Sequence, residues 1–288
     1  MSRRKFCLIG IDGLILDRAL RSEAAPNLSA FIERGRLAAM TMDVPTISGP
    51  GWSSILTGAT HAEHNVFDNT FHGHTLRANA DLLSRAYFAD QSVTSYVASG
   101  WPPLADPAGP GPVISPRLDQ QNAGVHKVIV RDGEMYGYRR ADSEVADISR
   151  LYLSQGGPDA SFVYLGEVDE AGHVYGGASA EYLVAVTRVD EHLGTLLHAI
   201  ATRAAREDED WLVGITTDHG HLDEGGHGGG EDVVRSSFFA VARSVGGGTD
   251  TSTGAEPRPA EAWSAEGVSL PESMRPDQIA AYLLEHLA

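Results

Sequence analysis

Short, uniformly apolar runs that alternate with helical patterns constrain this fold more than any other feature of the sequence. Residues 6–11, 161–166 and 211–217 are such runs. Strands buried on both faces of a parallel sheet have this composition. Helical patterns lie between the runs, as at 26–34 and 178–205. The alternation predicts an α/β sandwich with a mostly parallel central sheet.

Two stretches interrupt this alternation without ending it, so we expect residues 1–288 to form a single domain. The segment 72–145 is less regular and is predicted to be an insertion that faces the substrate. The segment 246–271 is polar and rich in Gly, Ser and Pro, which predicts a surface loop. Several aromatic residues of the first segment would line a ligand pocket or fill the local core: Tyr87, Phe88, Tyr96, Trp101, Tyr136 and Tyr138.

Charge and cysteine content limit the partners and the compartment. The formal net charge of −17 argues against a surface that coats nucleic acid. Cys7 is the only cysteine, so no internal disulfide can form and a reducing compartment is favoured. No run approaches the ~20 apolar residues that span a bilayer. We therefore expect a cytoplasmic protein, while the sequence does not indicate its oligomeric state.

Acidic and histidine side chains follow three of the predicted strands. In parallel α/β sheets, ligands bind beyond the carboxyl ends of the strands. The candidates at this edge are Asp12, Asp169, His173, Asp218, His219 and His227. Carboxylate and imidazole groups together suit zinc and similar ions. Each residue alone has an ordinary interpretation as a turn, cap or surface residue, so the metal-site prediction depends on their meeting at one edge.

Ser48 is the candidate nucleophile. It begins the run Ser-Gly-Pro-Gly, where a predicted strand gives way to a short helix. A hydroxyl there faces the positive end of a helix and free backbone N–H groups, which favour a phosphate. The alternative is that Ser48 only caps the helix. The chain has neither a Gly-x-Ser-x-Gly motif nor a Gly-Lys-Ser/Thr loop, so serine hydrolase and P-loop functions are disfavoured.

Taken in chain order, these motifs resemble the alkaline phosphatase superfamily, and most closely its type I phosphodiesterase/nucleotide pyrophosphatase branch. The motifs are Ile11-Asp12-Gly13, Pro45-Thr-Ile-Ser48 through Gly58, His64 through Thr70, Val168-Asp169-Glu-Ala-Gly-His173 and Thr217-Asp218-His219-Gly220. The resemblance implies a three-layer α/β/α sandwich, a small-molecule phosphate ester as the substrate, and two divalent ions, most often zinc. We expect manganese as a substitute.

The resemblance also assigns roles to individual residues. It implies that one ion is held by Asp12, Asp218, His219 and the oxygen of Ser48. It implies that the other ion is held by Asp169, His173 and His227. It further implies that Ser48 forms a phosphoserine intermediate and that Asn69 donates a hydrogen bond to the phosphoryl group. Two ions a few ångströms apart can stabilise the attacking and leaving oxygens of an in-line displacement.

Three positions depart from the pattern of this branch. Threonine is typical where this chain has Ser48, and an aromatic residue that stacks a nucleobase is typical where it has Gly49. Selectivity for nucleotides is therefore open, and Gly49 is expected to leave room for a second substituent on phosphorus. His227 follows His219 unusually closely. His221 lies between them, and we interpret it as a solvated loop residue, with support of the ligands as the alternative.

The resemblance favours a phosphodiesterase among several related functions. A phosphomonoesterase, a phosphonate hydrolase or a mutase could use the same metal core. A sulfatase is disfavoured because Trp52 occupies the position of the arginine in the Cys/Ser-x-Pro-x-Arg motif. A binding protein without activity would require a lost ligand, and every ligand position is filled.

The distribution of cations favours a singly charged diester over a doubly charged monoester. No Arg or Lys occurs between Thr46 and Asn69, the stretch expected to surround the phosphoryl group. Sites for monoesters usually meet the extra charge with an arginine or a further metal ion. Arginines from distant loops, such as Arg117, Arg131 or Arg235, are the candidates that would change this interpretation.

Overall fold

A single eight-stranded sheet organises the protein, of which the computed structural model describes residues 3–245 and 262–288. Its strands are β1 (Arg3–Ile11), β2 (Arg36–Thr41), β3 (Ser95–Ser99), β4 (His126–Val130), β5 (Ala160–Leu165), β6 (Glu209–Thr216), β7 (Ser236–Val245) and β8 (Ser273–Met274). Their order across the sheet is β4-β3-β5-β1-β6-β7-β2-β8.

Most neighbouring strands are parallel. β1 pairs in parallel with β5 and β6, and β3 does so with β4 and β5. β7 is antiparallel to both of its neighbours, β6 and β2, while β8 is parallel to β2. The prediction of a mostly parallel central sheet is confirmed. The carboxyl ends of β1, β5 and β6 consequently meet at one edge in the middle of the sheet.

Helices cover both faces of the sheet. They are α1 (Leu16–Arg21), α2 (Pro26–Arg34), α3 (Ser48–Thr57), α4 (His61–His64), α5 (Leu82–Ala89), α6 (Leu118–Asn122), α7 (Gly133–Tyr136), α8 (Tyr138–Leu151), α9 (Glu167–Tyr175), α10 (Ala180–Glu207), α11 (Asp232–Arg235) and α12 (Ile279–Leu287). Within the described residues, no helix is both long enough and apolar enough to cross a membrane.

Alternating side chains of the central strands supply two separate cores. On β1, Cys7 and Ile9 pack into one core, with Leu28 of α2 and Tyr182 of α10. Phe6 and Leu8 pack into the other, with residues of α3, α5 and α12 such as Trp52, Leu82 and Leu283. Because both faces of the strand are buried, its sequence is uniformly apolar rather than alternating. The predicted three-layer α/β/α arrangement is confirmed.

The irregular segment 72–145 contributes to the sheet as well as to the loops around it. Its strands β3 and β4 extend the edge beyond β5, and the sequence patterns did not predict β4. Helix α8 begins at Tyr138 and ends at Leu151. Its first turns are polar, and its buried face uses small residues such as Ala141 and Asp142, so the apolar period is weak there.

The predicted surface loop at 246–271 falls mostly on residues 246–261, which lie outside the described residues. From residue 262 onward, Trp263 is buried and packs edge-on against Phe31, with ring centroids 5.3 Å apart. Ser264 pairs with Arg243 of β7 in an antiparallel bridge. The surface-loop prediction therefore does not hold at Trp263.

Candidate active site

Two adjacent strand ends bring Asp12, Asp218 and His219 together. Asp12 directly follows β1, and the other two residues follow the neighbouring β6, separated from its end by Thr217. His219 Nε2 lies 3.4 Å from Asp12 Oδ1 and 3.2 Å from Asp218 Oδ2. All three residues have no exposed surface. We call Asp12, Asp218 and His219 the inner set.

Each carboxylate of the inner set has one oxygen held and one oxygen free. Asp12 Oδ2 accepts hydrogen bonds from Trp52 Nε1 at 2.9 Å and Tyr164 OH at 2.7 Å. Asp218 Oδ1 accepts one from the backbone N–H of Gly13 at 3.4 Å. Asp12 Oδ1 and Asp218 Oδ2 are buried and have no hydrogen-bond partner. Two orphaned carboxylate oxygens beside an imidazole nitrogen fit a bound cation.

The electrostatics of the inner set also favour a bound cation. Burial and then the neighbouring Asp12 raise the pKa of the Asp218 carboxyl well above its usual range. Burial, and then the His227 and His221 rings, lower the pKa of His219 well below its usual range. Carboxylates this close and this buried oppose one another unless a positive charge lies between them. A divalent ion would supply that charge and keep the carboxylates ionised.

Helix α9 and the glycine-rich loop after β6 provide a second group of donors, Asp169, His173 and His227, which we call the outer set. Asp169 and His173 are one helical turn apart, and His173 Nε2 lies 3.4 Å from Asp169 Oδ2. His227 Nε2 is 2.9 Å from His173 Nε2 and 3.6 Å from Asp169 Oδ1. The His219 and His227 rings stack with centroids 3.7 Å apart, so the two sets are side by side.

The outer set also has the chemistry of a cation site. His227 Nδ1 donates to the Thr46 carbonyl at 2.7 Å, which leaves its Nε2 lone pair free to bind an ion. Burial and the charge of Asp12 raise the pKa of Asp169 to about 7, although His227 and His173 oppose the shift. Burial lowers the pKa of His173, which favours the neutral, ligating form of the ring.

The interpretation of His221 as a solvated loop residue is wrong. Its side chain is fully buried, and its Nε2 lies 2.6 Å from Asp169 Oδ1. Burial lowers its pKa to about 4, so the ring is neutral at pH 7 and donates to the carboxylate. The signal in the sequence is the Asp-His-Gly-His spacing, because alternate residues of an extended segment point to the same side. His221 thus orients Asp169.

Asp142 is a supporting residue that the sequence patterns did not indicate. It is fully buried on α8, and its oxygens accept hydrogen bonds from the backbone N–H groups of Gly166 and Glu167 at 2.8 to 3.0 Å. These are free donors at the start of α9. Asp142 therefore fixes the beginning of the helix that presents Asp169 and His173.

Ser48 lies beside the inner set. It is the first residue of α3, its hydroxyl makes no capping hydrogen bond, and its Oγ lies 3.2 Å from His219 Nε2. The start of α3 thus directs a buried hydroxyl toward the inner set rather than toward its own backbone.

Asn69 lies next to Ser48, and the backbone of Gly49 holds it in place. Its Oδ1 accepts a hydrogen bond from the N–H of Gly49 at 2.8 Å, which leaves its amide N–H groups free to donate. A Cβ at Gly49 would lie 2.8 Å from Asp68 O and 3.0 Å from Asn69 Oδ1. Gly49 therefore makes room for the loop that carries Asn69, and not for a second substituent as expected.

A cavity of about 240 Å³ opens beside Ser48. It is lined by Ser48, Asn69, Trp101, Glu134, Tyr138, Tyr164, Asp169, Glu170, His173 and Val174. Of the aromatic residues expected at a pocket, Trp101 and Tyr138 lie in this wall, whereas Tyr96 packs against Tyr152 in the opposite core. Among these lining residues there is no Lys or Arg.

The three arginines named as candidates from distant loops make their contacts elsewhere. Arg117 is buried and donates to Ser95 and His126. Arg131 pairs with Glu144, and Arg235 donates to the Met42 carbonyl.

Comparison with known proteins agrees with this geometry. The family model described as type I phosphodiesterase/nucleotide pyrophosphatase matches residues 6–236, well over half of the chain. The chain therefore belongs to this family of the alkaline phosphatase superfamily, a family of metal-dependent hydrolases of phosphoric esters. The resemblance inferred from the motifs is confirmed. A search of curated proteins finds no match.

Solved structures share the fold at low identity. A phosphonoacetate hydrolase from Sinorhizobium meliloti, in complex with phosphonoacetate, is 18% identical with a TM-score of 0.55, covering 76% of this chain and 57% of that one. An inactive variant of murine ectonucleotide pyrophosphatase/phosphodiesterase 5, in complex with AMP, is 18% identical with a TM-score of 0.56, covering 76% and 58%.

A 2-O GAG sulfatase, BT1596, is 13% identical with a TM-score of 0.64, covering 99% of this chain and 71% of that one. This chain thus spans less than two thirds of the length of the phosphonoacetate hydrolase and the pyrophosphatase. In this chain Trp52 is buried and donates to Asp12, so it supplies no charge where a sulfatase has its arginine.

Proposed function

We propose that this protein is a metal-dependent phosphodiesterase that acts through a phosphoserine at Ser48. The observation that carries the proposal is the location of Ser48 Oγ, 3.2 Å from His219 Nε2 and beside two orphaned carboxylate oxygens. A hydroxyl in that location can bind to the same cation as the inner set. Family membership supports hydrolysis of a phosphoric ester.

The donor sets fit two divalent ions, for which we expect zinc, with manganese as a substitute. Asp12, Asp218 and His219 would hold one ion, together with Ser48 Oγ. Asp169, His173 and His227 would hold the other, with His221 orienting Asp169. Nitrogen and oxygen donors of this kind are typical zinc ligands. When bound, the ions supply positive charge that lowers the pKa of the serine hydroxyl and offsets the charge of the transition state.

The residues of the chain then account for two displacement steps. Ser48 Oγ attacks phosphorus in line with the ester oxygen, the ester P–O bond breaks, and the alcohol leaves with a proton. In the second step, water attacks phosphorus and the Ser48 Oγ–P bond breaks. A proton from the water restores the hydroxyl, and the phosphate monoester leaves. Asn69, fixed by Gly49, donates to a non-bridging oxygen in both steps.

The charges around the cavity favour a phosphodiester. A diester carries one negative charge, which two ions and the neutral donor Asn69 can balance. A monoester or a phosphonate carries more, and the cavity offers no Lys or Arg to meet it. Glu134 and Glu170 in the same wall would repel the additional charge. The phosphonate and monoester alternatives are therefore disfavoured.

The test compares bis(p-nitrophenyl) phosphate with p-nitrophenyl phosphate on one preparation of metal-loaded protein. We expect the diester to have the higher kcat/KM. A monoester preference of about tenfold, which is about 1.4 kcal/mol in transition-state free energy, would overturn the diesterase proposal. Hydrolysis of neither ester by protein that binds two ions would overturn the proposal of an ester hydrolase.

A further inference from the structure

Thr46 lies between the proposed nucleophile and the loop that carries His227. It is two residues before Ser48, just ahead of the start of α3, and only 1% of its surface is exposed. The donor sets and the two displacement steps give its side chain no role. A buried hydroxyl needs hydrogen-bond partners, and both partners of the Thr46 hydroxyl belong to the His227 loop.

Three consecutive residues of this loop form hydrogen bonds with Thr46. His227 Nδ1 donates to the Thr46 carbonyl at 2.7 Å. The N–H of Gly228 donates to Thr46 Oγ1 at 3.0 Å, and Thr46 Oγ1 donates to the Gly229 carbonyl at 2.9 Å. The hydroxyl therefore uses its proton and one lone pair on the two residues that follow His227.

The loop has few other contacts that fix its path. Within the described part of the chain, residues 227–230 make no hydrogen bond from backbone to backbone. Gly225, Gly226 and Gly228 have φ values of +106°, +84° and +107°, in a region that glycine enters without steric cost. Glycine also has the most conformational freedom to lose on folding. The Thr46 hydroxyl supplies order that the backbone of the loop does not supply for itself.

This order determines where His227 Nε2 lies. The bond to the Thr46 carbonyl places the ring proton on Nδ1 and leaves Nε2 as the free donor. Nε2 then lies 2.9 Å from His173 Nε2, and the ring stacks on His219. A ring that is tied through one atom can still pivot about that bond. The two hydroxyl bonds limit the pivoting, because they hold the backbone immediately after His227.

We propose that Thr46 is a positioning residue, whose hydroxyl holds residues 228 and 229 so that His227 Nε2 stays directed at the outer set. The inference rests on the proposed function with two ions. Because Thr46 is also two residues from Ser48, it joins the segment of the nucleophile to the loop of the outer set. Groups that orient metal ligands change metal affinity by roughly ten- to a hundredfold when they are removed.

The test measures the zinc affinity of the more weakly bound ion by competition with a chelator. Thr46→Val keeps the carbonyl bond to His227 and the size of the side chain, and removes only the two hydroxyl bonds. We expect it to weaken binding of this ion by about tenfold and to leave the tighter ion unchanged. Thr46→Ser retains the hydroxyl, so its affinity should stay within about twofold of the wild-type value. If Thr46→Val does not fold, Thr46→Ala removes the same two bonds without introducing a second methyl group.

Thr57→Val is the matched control. Thr57 is also buried, and its hydroxyl donates to the Ser53 carbonyl at 2.6 Å and accepts from the Ala59 N–H at 3.2 Å. Each valine variant loses one donated and one accepted hydrogen bond, so we expect a similar fall in Tm for both. Thr57→Val should nevertheless keep the wild-type zinc affinity, because its hydroxyl contacts no part of the His227 loop.

Activity provides a second measurement. The kcat/KM of Thr46→Val should be reduced at limiting zinc and recover in excess zinc, whereas that of Thr57→Val should equal wild type at both concentrations. Unchanged zinc affinity in Thr46→Val, or an equal loss in both valine variants, would overturn the positioning role and leave the phosphodiesterase proposal standing. Wild-type protein that binds fewer than two zinc ions would instead overturn the proposed function, and this inference with it.

Discussion

The inner and outer sets use the same kinds of donor in different surroundings. Asp12, Asp218 and His219 have no exposed surface, and each carboxylate has one oxygen tied to the fold. In the outer set, the side chain of His173 is 49% exposed and that of Asp169 is 18% exposed. The inner set follows two adjacent central strands, whereas the outer set combines a helix and a loop.

This difference separates two roles for the donors. Strand ends locked by register give a fixed site, whose donors cannot move without disturbing the sheet. A helix turn and a glycine-rich loop give a more accessible site that contacts the cavity directly through Asp169 and His173. We expect the inner set to prepare the nucleophile, and the outer set to meet the substrate and exchange its ion more readily.

Removing the proposed nucleophile tests the inner set most severely. We expect Ser48→Ala to lower kcat by about a thousandfold or more, equal to about 4 kcal/mol of activation free energy, because no phosphoserine can form. Steady-state hydrolysis of bis(p-nitrophenyl) phosphate and mass spectrometry of the trapped phosphoenzyme would measure this. Ser53→Ala is the matched control, since Ser53 is buried on the same helix and its hydroxyl has no partner. Inversion of configuration at phosphorus would show instead that water attacks directly.

Ligand substitutions in the two sets should differ in how excess metal affects them. We expect Asp218→Asn to lower kcat/KM by at least about a hundredfold, or about 2.7 kcal/mol, with no recovery in excess zinc. His173→Ala should lose a smaller factor, about tenfold, and recover when zinc is raised, because solvent can complete the coordination of an exposed ion. Elemental analysis of each variant at limiting and excess zinc measures the bound ions. Recovery of Asp218→Asn, but not of His173→Ala, would reverse our assignment of roles.

Much of this site could be predicted from the sequence because strand ends and motif order are local features. The apolar runs before Asp12, Asp169 and Asp218 identify three neighbouring strand ends without any knowledge of the side-chain packing. The hydrogen bond between Gly49 and Asn69 is a tertiary contact, so the sequence alone led to the wrong role for Gly49. His221 was misinterpreted for the same reason, since its burial depends on the path of the loop after β6.

The wall of the cavity beside Ser48 was the least predictable part of the site. Glu134 comes from α7, which follows the unpredicted strand β4, and its approach to Trp101 depends on the anchoring of Gly133 to the Gly100 carbonyl. Asp142 lies in the polar first half of α8, where the helical period is weak. Residues whose roles arise from long-range docking of irregular segments leave no local pattern to interpret.

The smallest expected effect concerns the stability of the metal-free protein as a function of pH. Burial raises the folded-state pKa of Asp169 to about 7 and of Asp142 to about 8, both far above the usual value of 3.8, and also raises that of Asp218. The folded protein then binds protons that the unfolded chain has released, so stability is lost as pH rises through these folded-state values. Below about pH 6.5, buried histidines with lowered pKa values, such as His221, oppose the trend.

Between about pH 6.5 and 8.5, the change of stability with pH comes mainly from the carboxylates, because the histidines are then mostly neutral in the folded and the unfolded protein. We expect the Tm of chelator-treated protein to fall across this window by a few degrees. Zinc-loaded protein should show a smaller fall or a rise, since ions bind to the deprotonated carboxylates and their binding strengthens as protons leave. Thermal unfolding followed by circular dichroism, with and without zinc, measures both curves. If the curves of Tm against pH with and without zinc run parallel, the carboxylates of the inner and outer sets are not the groups to which the ions bind.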